Sequence, residues 1–94
     1  MSCGGKLYVI IAYDVSVERV NKVKSYLRTQ LTWIQNSLFE GEITESRYME
    51  IRKNLLDIIN EQEDNVVIYK FSSPNIMERE NYGMKKGDPN DIIL

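Results

Sequence analysis

The sequence predicts an α+β fold on three observations. A β-branched, apolar run at Leu7–Tyr13 reads as a strand. Two later segments carry apolar residues at helical spacing, and a second β-branched run follows at Asn65–Phe71. Because the first run is apolar at every position, it reads as a central strand covered on both faces. It stops at Asp14. Ser16 is the predicted N-cap of a helix with Glu18 in its first turn. Val17, Val20, Val23, Leu27 and Leu31 then recur on one stripe, with Arg19, Lys22 and Arg28 off it. That pattern predicts an amphipathic helix of about four turns.

From Thr32 to Ile43, strand-forming residues lie on both sides of a polar Gln35-Asn36-Ser37 centre. This centre, with Gly41, favours two strands over one bent strand. Thr44 is the predicted N-cap of a second helix, whose apolar stripe is Tyr48, Ile51, Leu55, Ile58 and Ile59. Glu61–Asp64 reads as a solvated turn before the last clear strand.

The order strand, helix, strand, strand, helix, strand over residues 6–71 is the ferredoxin-like βαββαβ pattern, with both helices on one face of the sheet. The other face, carrying Tyr8 or Val9 and Val67 or Tyr69, then needs a cover, and a homodimer through this open face is the expected one. Residues 1–5 form an N-terminal extension. Residues 72–94 form a tail, broken by Pro74, Gly83, Gly87 and Pro89 and ending in Asp91-Ile92-Ile93-Leu94. An apolar end suits an extra strand segment pairing with the partner protomer better than a free tail.

A chain of 94 residues has a thin core, which a second subunit would supplement. With 43% hydrophobic and 28% charged residues it reads as globular rather than disordered. The single cysteine, Cys3, excludes an internal disulfide, and no apolar run is long enough for a membrane span or preceded by a signal-type n-region. The expected location is the cytoplasm, with no membrane partner. The formal net charge of −2 hides a gradient. Residues 1–39 carry Lys6, Arg19, Lys22, Lys24 and Arg28 against Asp14 and Glu18, whereas residues 40–64 are strongly acidic. Phosphate binding depends on where positive charge sits, so Arg19 and Lys22 of the first helix are candidate phosphate contacts.

The chain has no histidine, which removes the commonest general base and transition-metal ligand. One cysteine cannot build a thiolate zinc site, and no glycine-rich phosphate loop is present. Carboxylate chemistry with a hard metal is what is left. Asp14, at a strand end, ligates such a metal, or simply caps the helix, or pairs with a nearby lysine; Glu40 and Glu42 share a strand face, as a ligand pair or, by default, as solvent-facing positions. Tyr13, Trp33 and Phe39 stack on bases if exposed and otherwise serve as packing, the default for Phe39 and Tyr8.

Leu7–Asp14, a helix containing Val and Lys, Gln35–Gly41 and Glu63–Tyr69, in that order and spacing, resemble the small CRISPR-associated endoribonuclease family, the dimeric partner of the CRISPR integrase in spacer acquisition. The resemblance implies a ferredoxin-like homodimer with Mg2+-dependent hydrolysis of single-stranded RNA or, in some members, duplex DNA. It gives Asp14 the catalytic, metal-ligand role, one from each protomer, with Tyr13 beside it. Ser37 and Phe39 fall near the substrate path, and Lys22 falls where a helical arginine often contacts phosphate. Trp33 stands where many relatives carry a basic side chain. A rival view of the family makes the dimer a scaffold that holds DNA on its basic side chains.

Overall fold

The computed structural model describes residues 5–84. Their elements are β1 (Lys6–Asp14), α1 (Val17–Arg28), β2 (Thr32–Gln35), β3 (Leu38–Thr44), α2 (Glu45–Ile58), β4 (Asn65–Ser73) and β5 (Ile76–Gly83). The sheet is antiparallel with the order β2-β3-β1-β4-β5, so the first strand lies at its centre. The first four strands and two helices have the ferredoxin-like arrangement, and β5 adds a fifth strand beside β4.

Alternation along β1 divides its residues between two faces. Leu7, Val9, Ile11 and Tyr13 are buried against the helices together with Phe39, Ile43, Val66 and Ile68 from the neighbouring strands. Val23 and Leu27 of α1 and Tyr48, Ile51 and Leu55 of α2 close this core from above. On the opposite face β1 presents Tyr8, Ile10 and Ala12, and β4 presents their register partners Phe71, Tyr69 and Val67. Tyr8, placed in the core by its composition, is instead 40% exposed on this open face. A continuous apolar run marks β1 as two-sided, but one chain covers only one side.

Both helix starts fall where the sequence puts them, for different reasons. At α2 the Thr44 hydroxyl accepts from the Arg47 N–H at 3.1 Å, an ordinary side-chain cap. Ser16 occupies the N-cap of α1 with extended backbone, but its side chain makes no capping bond. Val17, assigned to the apolar stripe, is 84% exposed, and α1 ends at Arg28 before Leu31. Leu31 is still buried, packed against β3 where Gly41 makes room: a Cβ there would come within 2.8 Å of the Leu31 Cδ2. Gly41 therefore permits a close approach inside a strand. The turn itself is made at Asn36, whose φ of 46° is left-handed.

The sheet does not stop at residue 71. β4 runs to Ser73, a Pro74-Asn75 turn follows, and β5 pairs with β4 of its own chain from Ile76 to Gly83. This much of the sequence-predicted tail is an in-chain hairpin, whereas residues 85–94 lie outside the described residues. The strand ends at Gly83, whose φ of +93° disfavours any side chain, and a Cβ there would meet the Asp64 carbonyl oxygen at 2.1 Å. That carbonyl accepts from Met84 N–H at 2.8 Å. Gly83→Ala is expected to cost on the order of 2 kcal/mol, or roughly 10 °C in Tm for a domain this small. Gly5→Ala, with nothing within 4 Å of its added methyl, serves as the silent control in the same thermal melt.

Candidate metal and nucleic-acid site at the end of β1

Asp14 is the last residue of β1, exposed, and paired in register with Asn65 at the start of β4. Alternation puts it on the open face, beyond Ala12. Its neighbour Tyr13 points the other way and is buried. Tyr13 N–H donates to the Ser37 carbonyl at 3.1 Å, joining the β2–β3 turn to the strand end. Its ring stacks on Phe39 with centroids 6.2 Å apart and planes at 24°. Burial raises the Tyr13 pKa, with a hydrogen bond from the Ser37 side chain acting in the opposite direction. Tyr13, Asp14, Ser37 and Phe39, chosen from distant parts of the sequence, are thus brought together at one end of the sheet.

They differ in exposure: Asp14 is at the surface, whereas Phe39 is core, its default reading, rather than an exposed nucleic-acid contact. Phe39 has no exposed surface, and Tyr13 is nearly as enclosed, so neither offers a ring face for a base to stack on. They form the packed floor that fixes the β1 terminus; Ser37 is half-buried at the turn. Trp33 is the exposed aromatic of this region, at 47%, with the Lys24 ammonium 5.6 Å from its ring centroid. Its indole N–H donates to the Asn36 carbonyl at 2.9 Å.

Lys22 is exposed on α1. Arg19, expected to face phosphate with it, has its guanidinium in an intramolecular network instead. Its Nε donates to Asp64 at 2.6 Å, and its Nη2 donates to Glu63 at 2.8 Å and to Asp64 at 3.2 Å. Glu18 lies 3.4 Å away. The Arg19 side chain is only 19% exposed.

Asp64 is the residue that the sequence misplaced. Read as part of a solvated turn, it has no exposed surface at all. Besides Arg19, its carboxylate accepts from Ser16 N–H at 3.0 Å and Asn60 N–H at 2.8 Å. The Arg19 hydrogen bond, more than those from the Asn60 and Ser16 backbone, holds its carboxyl down at about 2 despite burial. Four hydrophilic residues in a row signal exposure, and only the long-range approach of α1 reverses it. The signal available was an acid immediately before an apolar strand with an arginine early in the first helix.

Among the described residues no three His, Cys, Asp or Glu side chains gather into a metal cluster. Glu40 and Glu42 lie on the open face of β3, opposite Ile10 and Tyr8. Asp14 is thus an exposed carboxylate outside any such cluster on one chain. Such a donor suits a hard, hydrated cation that keeps most of its waters, and does not suit zinc.

Comparison with known proteins agrees with this architecture. The family model described as "CRISPR associated protein Cas2" matches residues 7–79. A CRISPR-associated endoribonuclease Cas2 of Methanothermobacter thermautotrophicus is 54% identical over 88 residues, 94% of this chain and 96% of the relative. One from Archaeoglobus fulgidus is 56% identical over 81 residues, 86% of this chain and 88% of that protein. A solved structure described as a crystal structure of Cas2 superimposes with a TM-score of 0.70 at 41% identity, covering 94% of this chain and 99% of that one. With the family model spanning most of the sheet and both helices, this chain belongs to the CRISPR-associated Cas2 family.

Proposed function

We propose that the chain is a Mg2+-dependent endonuclease of CRISPR spacer acquisition, acting as a homodimer on single-stranded RNA or duplex DNA in partnership with the CRISPR integrase. The observation that carries this reading is Asp14. It is an exposed carboxylate at the rim of the sheet, on a strand end fixed by Ser37 and by the Tyr13–Phe39 stack. The relatives' designation as endoribonucleases supports the reaction class. Magnesium is commonly held by one or two carboxylates and by substrate phosphate oxygens, so a pair of Asp14 carboxylates, one from each protomer, matches its needs. When bound, the ion supplies Lewis-acid polarisation of a phosphoryl oxygen and a more acidic water. Asp14 holds that position, Tyr13 and Ser37 keep Asp14 in place, and Lys22 offers a positive charge to the nucleic-acid backbone. The open apolar face is the surface through which two chains meet.

A second reading is favoured because no cluster of three metal-ligating side chains is found among the described residues: the dimer serves as a scaffold that holds DNA while the integrase performs strand transfer. Backbone contacts of that kind read no sequence and weaken steeply with salt. Cleavage of labelled RNA and duplex DNA with Mg2+, with EDTA and with Asp14→Ala separates the two. The nuclease reading expects a loss of at least ~100-fold in both of the last conditions. Equal residual cleavage by wild type and Asp14→Ala, with DNA binding intact in both, would leave the scaffold.

A further inference from the structure

Asp64 and Arg19 lie outside the candidate site, yet their contacts converge on it. Asp14 is separated from Ser16 by one residue, and the Ser16 N–H is spent on the Asp64 carboxylate at 3.0 Å, across 48 residues of sequence. The residue after Asp64 is Asn65, the register partner of Asp14 on β4. Asn65 is itself fixed: its side-chain N–H2 donates to Asn81 Oδ1 at 2.6 Å and to the Met84 carbonyl at 2.8 Å. Met84 N–H in turn donates to the Asp64 carbonyl at 2.8 Å. The chain is thus held on both sides of Asp14, through the turn that follows it and through the strand opposite it.

We propose that Asp64 and Arg19 are a positioning pair for Asp14, fixing the Asp14–Val15–Ser16 turn so that the carboxylate keeps one orientation at the sheet rim. The inference rests on the reading of Asp14 as a metal ligand. Its physical basis is the number of donors converging on one fully buried carboxylate. Asp64 accepts from Ser16 and Asn60 backbone N–H groups and from two guanidinium nitrogens, all within 3.2 Å. The planar fork of Arg19 grips both carboxylate oxygens and thereby sets which way each faces. A lysine offers a point charge without that fork. A ligand held this way loses less freedom when it binds a cation, and small displacements of such a group have large kinetic effects.

The pair also makes sense of a local anomaly. Among the described residues, the Ser16 hydroxyl is the buried side-chain polar atom without a partner, although Ser16 sits at an N-cap. The turn is oriented to give its backbone N–H to Asp64 rather than its hydroxyl to the helix. Attachment of the turn to β4 prevails over a standard cap.

The test uses the full chain with Arg19→Gln, which keeps Asp64 and its two backbone donors, alongside Arg19→Lys and Asp14→Asn. Amide NMR follows Val15 and Ser16 during Mg2+ titration, and hydrogen exchange of Val9 and Ile11 reports on the core. In Arg19→Gln the Mg2+ midpoint at Val15 is expected to rise about 3- to 10-fold and exchange at Val15–Ser16 to quicken. Core protection should persist, and Arg19→Lys should recover only part of the loss. For cleavage, kcat should fall about 10-fold with KM within about 2-fold of wild type. An unchanged Mg2+ midpoint overturns the proposal, whatever the stability of the variant. A raised KM at constant kcat, with a salt slope reduced by about one, also overturns it and makes Arg19 a direct phosphate contact. If Asp14→Asn retains both Mg2+ response and cleavage, the metal-ligand reading itself has failed, an outcome distinct from failure of the pair.

Discussion

Asp64→Ala is expected to lower the unfolding free energy by about 3–5 kcal/mol, enough to bring a small domain close to its unfolding threshold. The variant removes a fully buried carboxylate and leaves three sets of donors behind: the Ser16 N–H, the Asn60 N–H and the guanidinium of Arg19. Glu63 and Glu18 retain part of the Arg19 charge at the surface, whereas nothing replaces the acceptor inside. Urea unfolding followed by circular dichroism measures the loss, with exposed Asp57→Ala as a control expected to stay within about 0.5 kcal/mol. The same carboxylate imposes a pH dependence. Its folded pKa, about 2, lies below the ordinary 3.8, so its contribution is full above the unfolded value and disappears as pH falls towards 2. On the order of 2 kcal/mol should vanish across that window in the wild type, and the part due to Asp64 should be missing from the variant. Parallel stability curves for the two proteins between pH 5 and pH 2, to be recorded at about ten points, would remove Asp64 from the account.

Ile10→Glu is expected to hold the chain monomeric and to abolish cleavage while sparing the monomer fold. Ile10 lies on the open face, away from both helices, in a shallow concavity of about 500 Å³ shared with Tyr8 and Phe71. A carboxylate there would be desolvated by any dimer made through this face, with Glu40 already opposite on β3. Sedimentation should give a dimer for the wild type at micromolar concentration and a dissociation constant at least ~100-fold weaker for the variant, as for a hot-spot loss near 3 kcal/mol. Thermal melting should change little, because the helix-facing core is untouched. A wild-type chain that sediments as a monomer would remove the open face as an interface, and an Ile10→Glu monomer that cleaves at full rate would separate catalysis from dimerisation.

The elements themselves were readable because each rests on local chemistry: the β-branched run of β1, the Thr44 cap of α2 and the polar Gln35–Ser37 centre that became a turn. The partition of β1 between two faces was not, since every residue from Leu7 to Tyr13 is apolar and periodicity carries no information in such a run. The choice between Tyr8 and Val9 for the open face consequently stayed open, and the default that put Tyr8 in the core was wrong. Tyr13, Asp14, Ser37 and Phe39 were singled out through resemblance, and Phe39 is core as its default reading has it, but the burial of Tyr13 beside an exposed Asp14 was not legible, because a motif specifies identity and spacing rather than exposure. Arg19 and Asp64 escaped for the deepest reason. Their meaning arises from a contact across 45 residues, and each alone looks like an ordinary solvated charge. The β4–β5 hairpin was within reach, since Pro74-Asn75 is a turn signal between two strand-compatible runs.

Placing the first strand at the centre of the sheet has a consequence for the order in which the protein can be made. As the chain leaves the ribosome, β1 emerges first, but its neighbours are β3, which begins at Leu38, and β4, which begins at Asn65. A nascent chain that ends before residue 65 can pair β1 on one side only, leaving the apolar strand with an unsatisfied edge towards the missing β4. The bonds from Asp64 to Ser16 and Arg19 likewise close loops spanning about half the chain, so their entropy cost falls late. Synthesis therefore passes through an interval in which the strand that will carry Asp14 is complete, sticky and unprotected, and the arrival of β4 ends it.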